Sequence, residues 1–213
     1  MDLKSKKTSS DEIWVTEFTS EAALKFREQV LDASHSDPLK PIIVYIHSYG
    51  GAVDALASMI ETMDEISNPV VTACQGVAMS CGAMLLSHGD IRFVGKHSRV
   101  MIHEISGGTH GDVHDINVDA EEMKRLNRYF MGILAKNCGI KGGYDALRKM
   151  IKGQDGRDNY MDASAALEFG IVDAIGMPVV NRLKLYEVAM KPPKTKTLQK
   201  TPTKKSESKR SRK

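Results

Sequence analysis

Two apolar, β-branched runs with one amphipathic stretch between them constrain this chain more than any other feature. Ile42-Ile-Val-Tyr-Ile46 and Val70-Val-Thr-Ala-Cys74 show no polar alternation, the pattern of strands covered on both faces. Between them Leu56, Met59, Ile60 and Met63 fall at i, i+3, i+4 and i+7. That spacing predicts a helix over about Ala52–Ser67, which Asn68-Pro69 stops. A strand, a helix and a second strand in such close succession point to parallel neighbours in one sheet.

The rest of the chain continues the alternation. Glu12–Glu17 reads as a short strand, followed by a helix over about Ser20–Ala33 with Ala23, Phe26 and Val30 on one face. The stretch from His35 to Pro41 breaks the pattern. Beyond Cys74 the chain turns through Gly76 into an apolar helix from Ser80 to about Ser87. Ile91–Val94 and Arg99–Ile102 read as strands. Gly107-Gly108 opens a polar connection to a long helix over about Ile116–Lys136, with Ile116, Met123, Leu126, Phe130 and Ile133 as its apolar seam. Shorter helices are expected near Tyr144–Ile151 and Asp162–Phe169. The fold class is α/β with a largely parallel sheet, and no internal repeat is visible.

Composition adds limits. With 213 residues, 41% hydrophobic and 27% charged, the chain suits one globular domain plus a tail. The net charge of +3 averages two unlike regions. Residues 191–213 carry ten Lys/Arg and one acidic residue, Glu207, which leaves 20 basic against 26 acidic residues over 1–190. The tail is rich in Thr, Ser and Pro and too poor in apolar surface to offset its ordering entropy, so it is expected to be disordered. Its affinity for nucleic acid is expected to be nonspecific and salt-sensitive. The expected organisation is a flexible lead-in over 1–11, a folded domain over 12–190 and the basic tail over 191–213. Cys74, Cys81 and Cys138 give neither a disulfide framework nor a C-x-x-C ligand pair. No apolar run is long enough for a membrane span, and no apolar core follows the basic N-terminus as a secretory signal would require. A soluble, cytoplasmic protein is the expectation.

In open α/β sheets, ligands bind where strand C-termini meet helix N-termini. Two such junctions have unusual sequence. In Ile46-His-Ser-Tyr-Gly-Gly51, paired glycines let bare backbone N–H groups face a cleft at a helix start. In Gly76-Val-Ala-Met-Ser-Cys-Gly-Ala83, Ser80 lies at the strand-to-helix turn among small neighbours, the physical logic of a nucleophile elbow without the G-x-S-x-G sequence. On this stretch alone, Ser80 is either a nucleophile or the cap of a buried helix. A nucleophilic serine needs a base. His103, at the end of the Val100-Met-Ile102 strand, is placed to serve as one or to be a buried structural histidine. An acid must then orient the imidazole, and by spacing alone Asp158 is one of many candidates.

Read together, five segments in order resemble the proteolytic subunit of the Clp protease, a family of self-compartmentalising serine peptidases. They are Ile46–Gly51, Gly76–Ala83, Ser98-Arg-Val-Met-Ile-His103, Gly107-Gly108 with the long helix, and Arg157-Asp-Asn-Tyr-Met-Asp-Ala163 running on to Asp173. The resemblance spans roughly residues 41–175. It implies Ser80 as nucleophile, His103 as general base and Asp158 as the orienting acid, with the backbone N–H groups of Gly51 and Cys81 as oxyanion hole. It also implies a superhelical fold of repeated β-β-α units with a protruding handle helix. Polypeptide substrates would be cut inside homo-oligomeric rings, heptamers stacked into a tetradecamer. No metal and no bound cofactor are implied, any ATP being used by a partner AAA+ unfoldase.

The chain departs from the family pattern in places. His47-Ser-Tyr-Gly-Gly51 stands where the family usually has Asn-Ser-Pro-Gly-Gly, Cys81 where it has methionine, and Glu104-Ile105 where it has Gln-Pro. Only about 40 residues precede the Ile42 strand, so the family's axial N-terminal loop and first helix are expected to be shortened or missing, which bears on unfoldase docking. A phage-like member, such as a viral head-maturation protease, is the alternative within the superfamily. A crotonase-type acyl-CoA enzyme is the alternative of another class, and a catalytically dead ring subunit a third. His110, Asp112 and His114 would share one face of a strand as metal ligands, but the resemblance puts them in the handle. His47 and His88 are expected in core or rim roles, Cys81 as packing rather than nucleophile, and Met59, Met63, Met123 and Met131 as core or subunit contacts.

Overall fold

A computed structural model describes residues 12–152 and 158–179. The lead-in over 1–11, residues 153–157 with Arg157, and everything from 180 on, including the basic tail, lie outside the described residues.

The chain runs through β1 (Glu12–Val15), α1 (Ser20–Ser36), β2 (Ile42–Ser48), α2 (Val53–Glu65), β3 (Val70–Met79) and α3 (Cys81–Ser87). It continues through β4 (Ile91–Val94), β5 (Arg99–Ile102), α4 (Val113–Asn137), α5 (Gly143–Lys152), β6 (Asn159–Met161), α6 (Ala163–Phe169) and β7 (Ala174–Ile175). The strands form one mixed α/β sheet in the order β1-β2-β3-β4-β7, with β5 on β3 and β6 on β5. Every pairing is parallel except β5–β6.

Local chemistry sets the helix ends. The Thr19 hydroxyl accepts the Ala22 N–H at 3.1 Å and starts α1, which buries Ala23, Phe26 and Val30. α2 buries Leu56, Met59, Ile60 and Met63, the predicted stripe. Asp162 caps α6 through the Ala165 N–H at 2.8 Å, and Gly170 ends it in the left-handed conformation, φ +84°. The main core gathers these faces against Val44 and Ile46. Ile43, Tyr45, Val71 and Ala73 alternate to a smaller cluster, and Trp14 stacks on Tyr45 with ring centroids 5.0 Å apart.

Several expectations need correction. β3 does not end at Cys74 but continues through Gly76 to Met79, because β5 supplies a second parallel partner for Val77–Met79 after β4 has paired with Val71–Cys74. β6 and β7 were not anticipated. Three and two residues long, they are too short to carry a periodicity. α4 begins earlier than Ile116. The Asp112 carboxylate accepts the His114 and Asp115 N–H groups in a capping box, so His110, Asp112 and His114 straddle a helix start rather than sharing a strand face. The α4 seam is covered only in its second half, where Phe130, Met131, Leu134 and Ala135 are buried. Leu126 and Ile133 pack partly on the core, whereas Ile116 is 42% exposed.

Candidate active site

Ser80 is delivered by an irregularity in β3. The β2–β3 register steps from Ile46↔Cys74 to Ser48↔Ala78, so β3 carries extra residues at the bulge around Gln75 and Gly76. The Ser98 hydroxyl spans this bulge, accepting the Gly76 N–H at 2.8 Å and donating to the Cys74 carbonyl at 3.1 Å. β3 then ends at Ser80, which has φ +54° and ψ −121°. It is the one non-glycine among the described residues with positive φ. A conformation this sparsely populated persists only where its surroundings hold it. Here the Ser80 N–H donates to the Met101 carbonyl at 2.9 Å, and the Ser80 carbonyl accepts from Ala83 and Met84 at 3.0 and 3.2 Å.

Ser80 does not act as a side-chain cap. It stands at the N-cap of α3, yet its side chain makes no capping hydrogen bond. Its Oγ lies instead 2.8 Å from His103 Nε2. His103 follows the last residue of β5, which runs beside the second half of β3, so both side chains leave parallel strands at one end of the sheet. For the hydroxyl to donate, Nε2 must be unprotonated and the ring proton must sit on Nδ1.

Asp158 immediately precedes β6 and is exposed. The antiparallel register Val100↔Met161, Met101↔Tyr160, Ile102↔Asn159, extended one step, sets it opposite His103. Among the described residues, no hydrogen bond joins its carboxylate to the imidazole. The structure thus brings Ser80 and His103 into contact, whereas Asp158 makes no such bond.

Gly51 and Cys81 line the same small cavity of about 60 Å³ as Ser80 and His103. Cys81 is the first residue of α3, so its N–H has no partner within the helix. Gly50 and Gly51 adopt φ +108° and +154°, and a Cβ on Gly51 would stand 2.5 Å from the Phe18 carbonyl oxygen. The Cys81 thiol donates to the Gly51 carbonyl at 3.3 Å, tying the two junctions together, and burial pushes that thiol's pKa up. The apolar floor of the cavity comes from Val53, Met84, Ile105, Met131 and Leu134. A cavity of this size holds a few waters or one modest side chain.

Two other histidines near these turns, His47 and His88, have partners of their own. His47 is exposed and donates from Nδ1 to the Gln75 carbonyl at 2.8 Å, lying against the bare Cα of Gly76. His88 Nε2 pairs with Asp64 at 2.9 Å. Among the described residues no group of His, Cys, Asp and Glu side chains has a metal-binding arrangement, and no helix is long and apolar enough to cross a membrane. Two contributors escaped sequence reasoning: Ser98, which braces the bulge, and the Met131–Leu134 turn of α4, which reaches the cavity from a distant part of the chain.

The sequence matches the family model described as Clp protease over residues 5–178, which takes in the two glycine-rich junctions, the His103 strand and the β6–α6 segment. With that match across most of its length, the chain belongs to the Clp protease family.

Proposed function

We propose that this chain is a serine endopeptidase of the Clp proteolytic-subunit type. The observation that carries this reading is the 2.8 Å contact between Ser80 Oγ and His103 Nε2 at a strained strand end. Ser80 Oγ attacks the scissile carbonyl carbon while its proton passes to His103 Nε2. The carbonyl oxygen becomes an oxyanion, held by the N–H groups of Gly51 and Cys81. His103 then returns the proton to the leaving amine nitrogen as the C–N bond breaks, leaving an acyl ester on Ser80. Water, deprotonated by His103, hydrolyses that ester. Asp158 orients the Nδ1–H tautomer and stabilises the imidazolium. Its position across from His103 in the extended register supports that role. Loss of one oxyanion donor in a serine peptidase costs about 10²–10³ in turnover.

The same reading carries the family's wider properties as proposals. The β-β-α units stack as a superhelix, and the subunits assemble into homo-oligomeric rings that enclose the sites. An AAA+ unfoldase feeds polypeptide into the chamber, and the assembly works in the cytoplasm. A crotonase-type acyl-CoA enzyme would have no use for the Ser80–His103 contact.

The test is a fluorophosphonate probe with the adduct located by mass spectrometry. Ser80 should carry the label, Ser80→Ala should abolish it, and His103→Ala and Asp158→Asn should slow it strongly. Assembled protein that does not label at all refutes the proposal.

A further inference from the structure

His103 comes directly after β5, and the chain beyond it is irregular: Glu104, Ile105 and Ser106 belong to neither strand nor helix. An imidazole that must present Nε2 to Ser80 needs the backbone beyond it to be fixed as firmly as the strand before it. The fixing comes from one side chain of the long helix. Asn127 of α4 accepts the Ile105 N–H on its Oδ1 at 3.0 Å, and its Nδ2 donates to Glu104 Oε1 at 3.3 Å. The same amide nitrogen lies 3.3 Å from the Tyr144 hydroxyl of α5. From α5, Arg148 Nε donates to Glu104 Oε1 at 2.9 Å. The Arg128 guanidinium, one residue along α4, sits 4.8 Å from the centre of the Tyr144 ring. Both residues after His103 are therefore gripped, one by its backbone and one by its carboxylate, and Asn127 takes part in both grips.

A half-buried asparagine on this face of α4 is otherwise out of place. It falls between Met123, Leu126 and Phe130, where the helix turns its apolar side inward. The side-chain amide offers an acceptor and donors at one point, which neither an apolar residue nor a carboxylate does. We infer that Asn127 is a positioning residue for His103. With Glu104 and Arg148 it forms a polar clamp that sets the imidazole's approach to Ser80 and makes that approach depend on where α4 and α5 lie. This rests on the peptidase reading given above. The clamp also holds Ile105, part of the cavity wall, so the residues that shape the cavity and the residue that moves the proton share one support.

A swap of chemistry across the Asn127–Glu104 contact tests the clamp in the full-length protein. Asn127→Ala removes both grips. Asn127→Asp keeps the acceptor for the Ile105 N–H but sets a carboxylate against the Glu104 carboxylate. Adding Glu104→Gln to Asn127→Asp removes the opposed charges and offers the introduced aspartate an amide donor. Asn127 Nδ2 and Arg148 Nε share Glu104 Oε1, however, so a glutamine nitrogen turned to that aspartate gives up the bond from Arg148. Each protein is assayed for the rate of fluorophosphonate labelling at Ser80 and for kcat and KM on a short fluorogenic peptide, with melting temperature measured alongside. Asn127→Ala and Asn127→Asp should lower the labelling rate and kcat about 10- to 100-fold, the cost of a small misplacement, with KM little changed. The double variant should recover part of the loss, several-fold over Asn127→Asp. If the unaltered protein and Asn127→Ala label at the same rate, this inference alone is overturned. It is equally overturned if the double variant labels no faster than Asn127→Asp, or if the rate losses only follow losses of melting temperature, as a purely structural role predicts. An unaltered protein that fails to label overturns the peptidase reading and takes the clamp with it.

Discussion

Gly50 and Ser80 share a space that holds only one Cβ. A methyl group at residue 50 would stand 2.7 Å from the Ser80 Cβ, 3.1 Å from the Met79 carbonyl oxygen and 3.2 Å from the Ser80 Oγ. The glycine pair thus shapes more than its own turn, since the bare Cα of Gly50 lets the serine stand against it. Gly50→Ala should displace Ser80 from His103 and slow fluorophosphonate labelling about 10²-fold, and its φ of +108° adds strain. Gly108→Ala, where nothing lies within 4 Å, is the matched control and should label normally. Equal labelling of the two variants would show that the close approach has no bearing on the serine.

The strained backbone of Ser80 predicts a dissociation of stability from activity. An alanine at this position keeps the φ of +54° and its cost, while a glycine relieves it. Ser80→Gly should therefore be more stable than Ser80→Ala by about 1 kcal/mol, although glycine loses more freedom on folding. Both should be inert towards the probe. Chemical denaturation of the two variants measures the difference, and a less stable Ser80→Gly would mean the turn stores no strain.

Much of this architecture was legible in the sequence because it is periodic. Ile42–Ile46, Val70–Cys74 and the Leu56–Met63 stripe announced buried parallel strands and the helix between them, and the structure has them there. The strand before His103 has the limits its sequence suggests. What stayed hidden depends on contacts between distant segments. β3 outruns its apolar run because β5 pairs beyond the bulge, and nothing local to Gly76 signals a second partner. The α4 seam looked continuous from Ile116 to Ile133, but only its second half meets the core. Asn127, next to Leu126 in that seam, carries no signal in the sequence that sets it apart from a solvated polar residue. Its meaning appeared only with Glu104 and Ile105 beside it.

The cysteines predict a chemical silence. Burial pushes the thiols of Cys74 and Cys138 up to about 12, and that of Cys81 upward as well. The thiolate is the reactive form, so each is almost wholly protonated near neutral pH. Iodoacetamide applied to the folded protein should leave all three unmodified, and in denaturant it should alkylate all three. Rapid native modification at Cys81, read by mass spectrometry, would contradict both its burial and its hydrogen bond to the Gly51 carbonyl.

Arg92 and Asp173 predict how stability depends on pH. The Asp173 carboxylate accepts from Arg92 Nε at 3.0 Å, Nη2 at 2.6 Å and the Arg92 backbone N–H at 2.8 Å. The guanidinium also donates to the carbonyls of Asn137 and Gly170, so this pair ties β4 to the ends of α4 and α6. Hydrogen bonding to Arg92 holds the Asp173 carboxyl below the usual carboxylate range, against an opposing push from burial. The folded state therefore binds that proton less readily than the unfolded chain. The resulting stabilisation is complete above the unfolded value of about 3.9 and is lost as pH falls through the lower folded value. Asp173 is 43% exposed, so solvent screening limits the effect to about 1 kcal/mol. Urea midpoints for the unaltered protein and Asp173→Asn should differ near about pH 6 and converge towards about pH 3. A gap of constant size across that range would mean the carboxylate's charge contributes nothing, and that the link between β4 and α6 rests on the Arg92 contacts to backbone carbonyls alone.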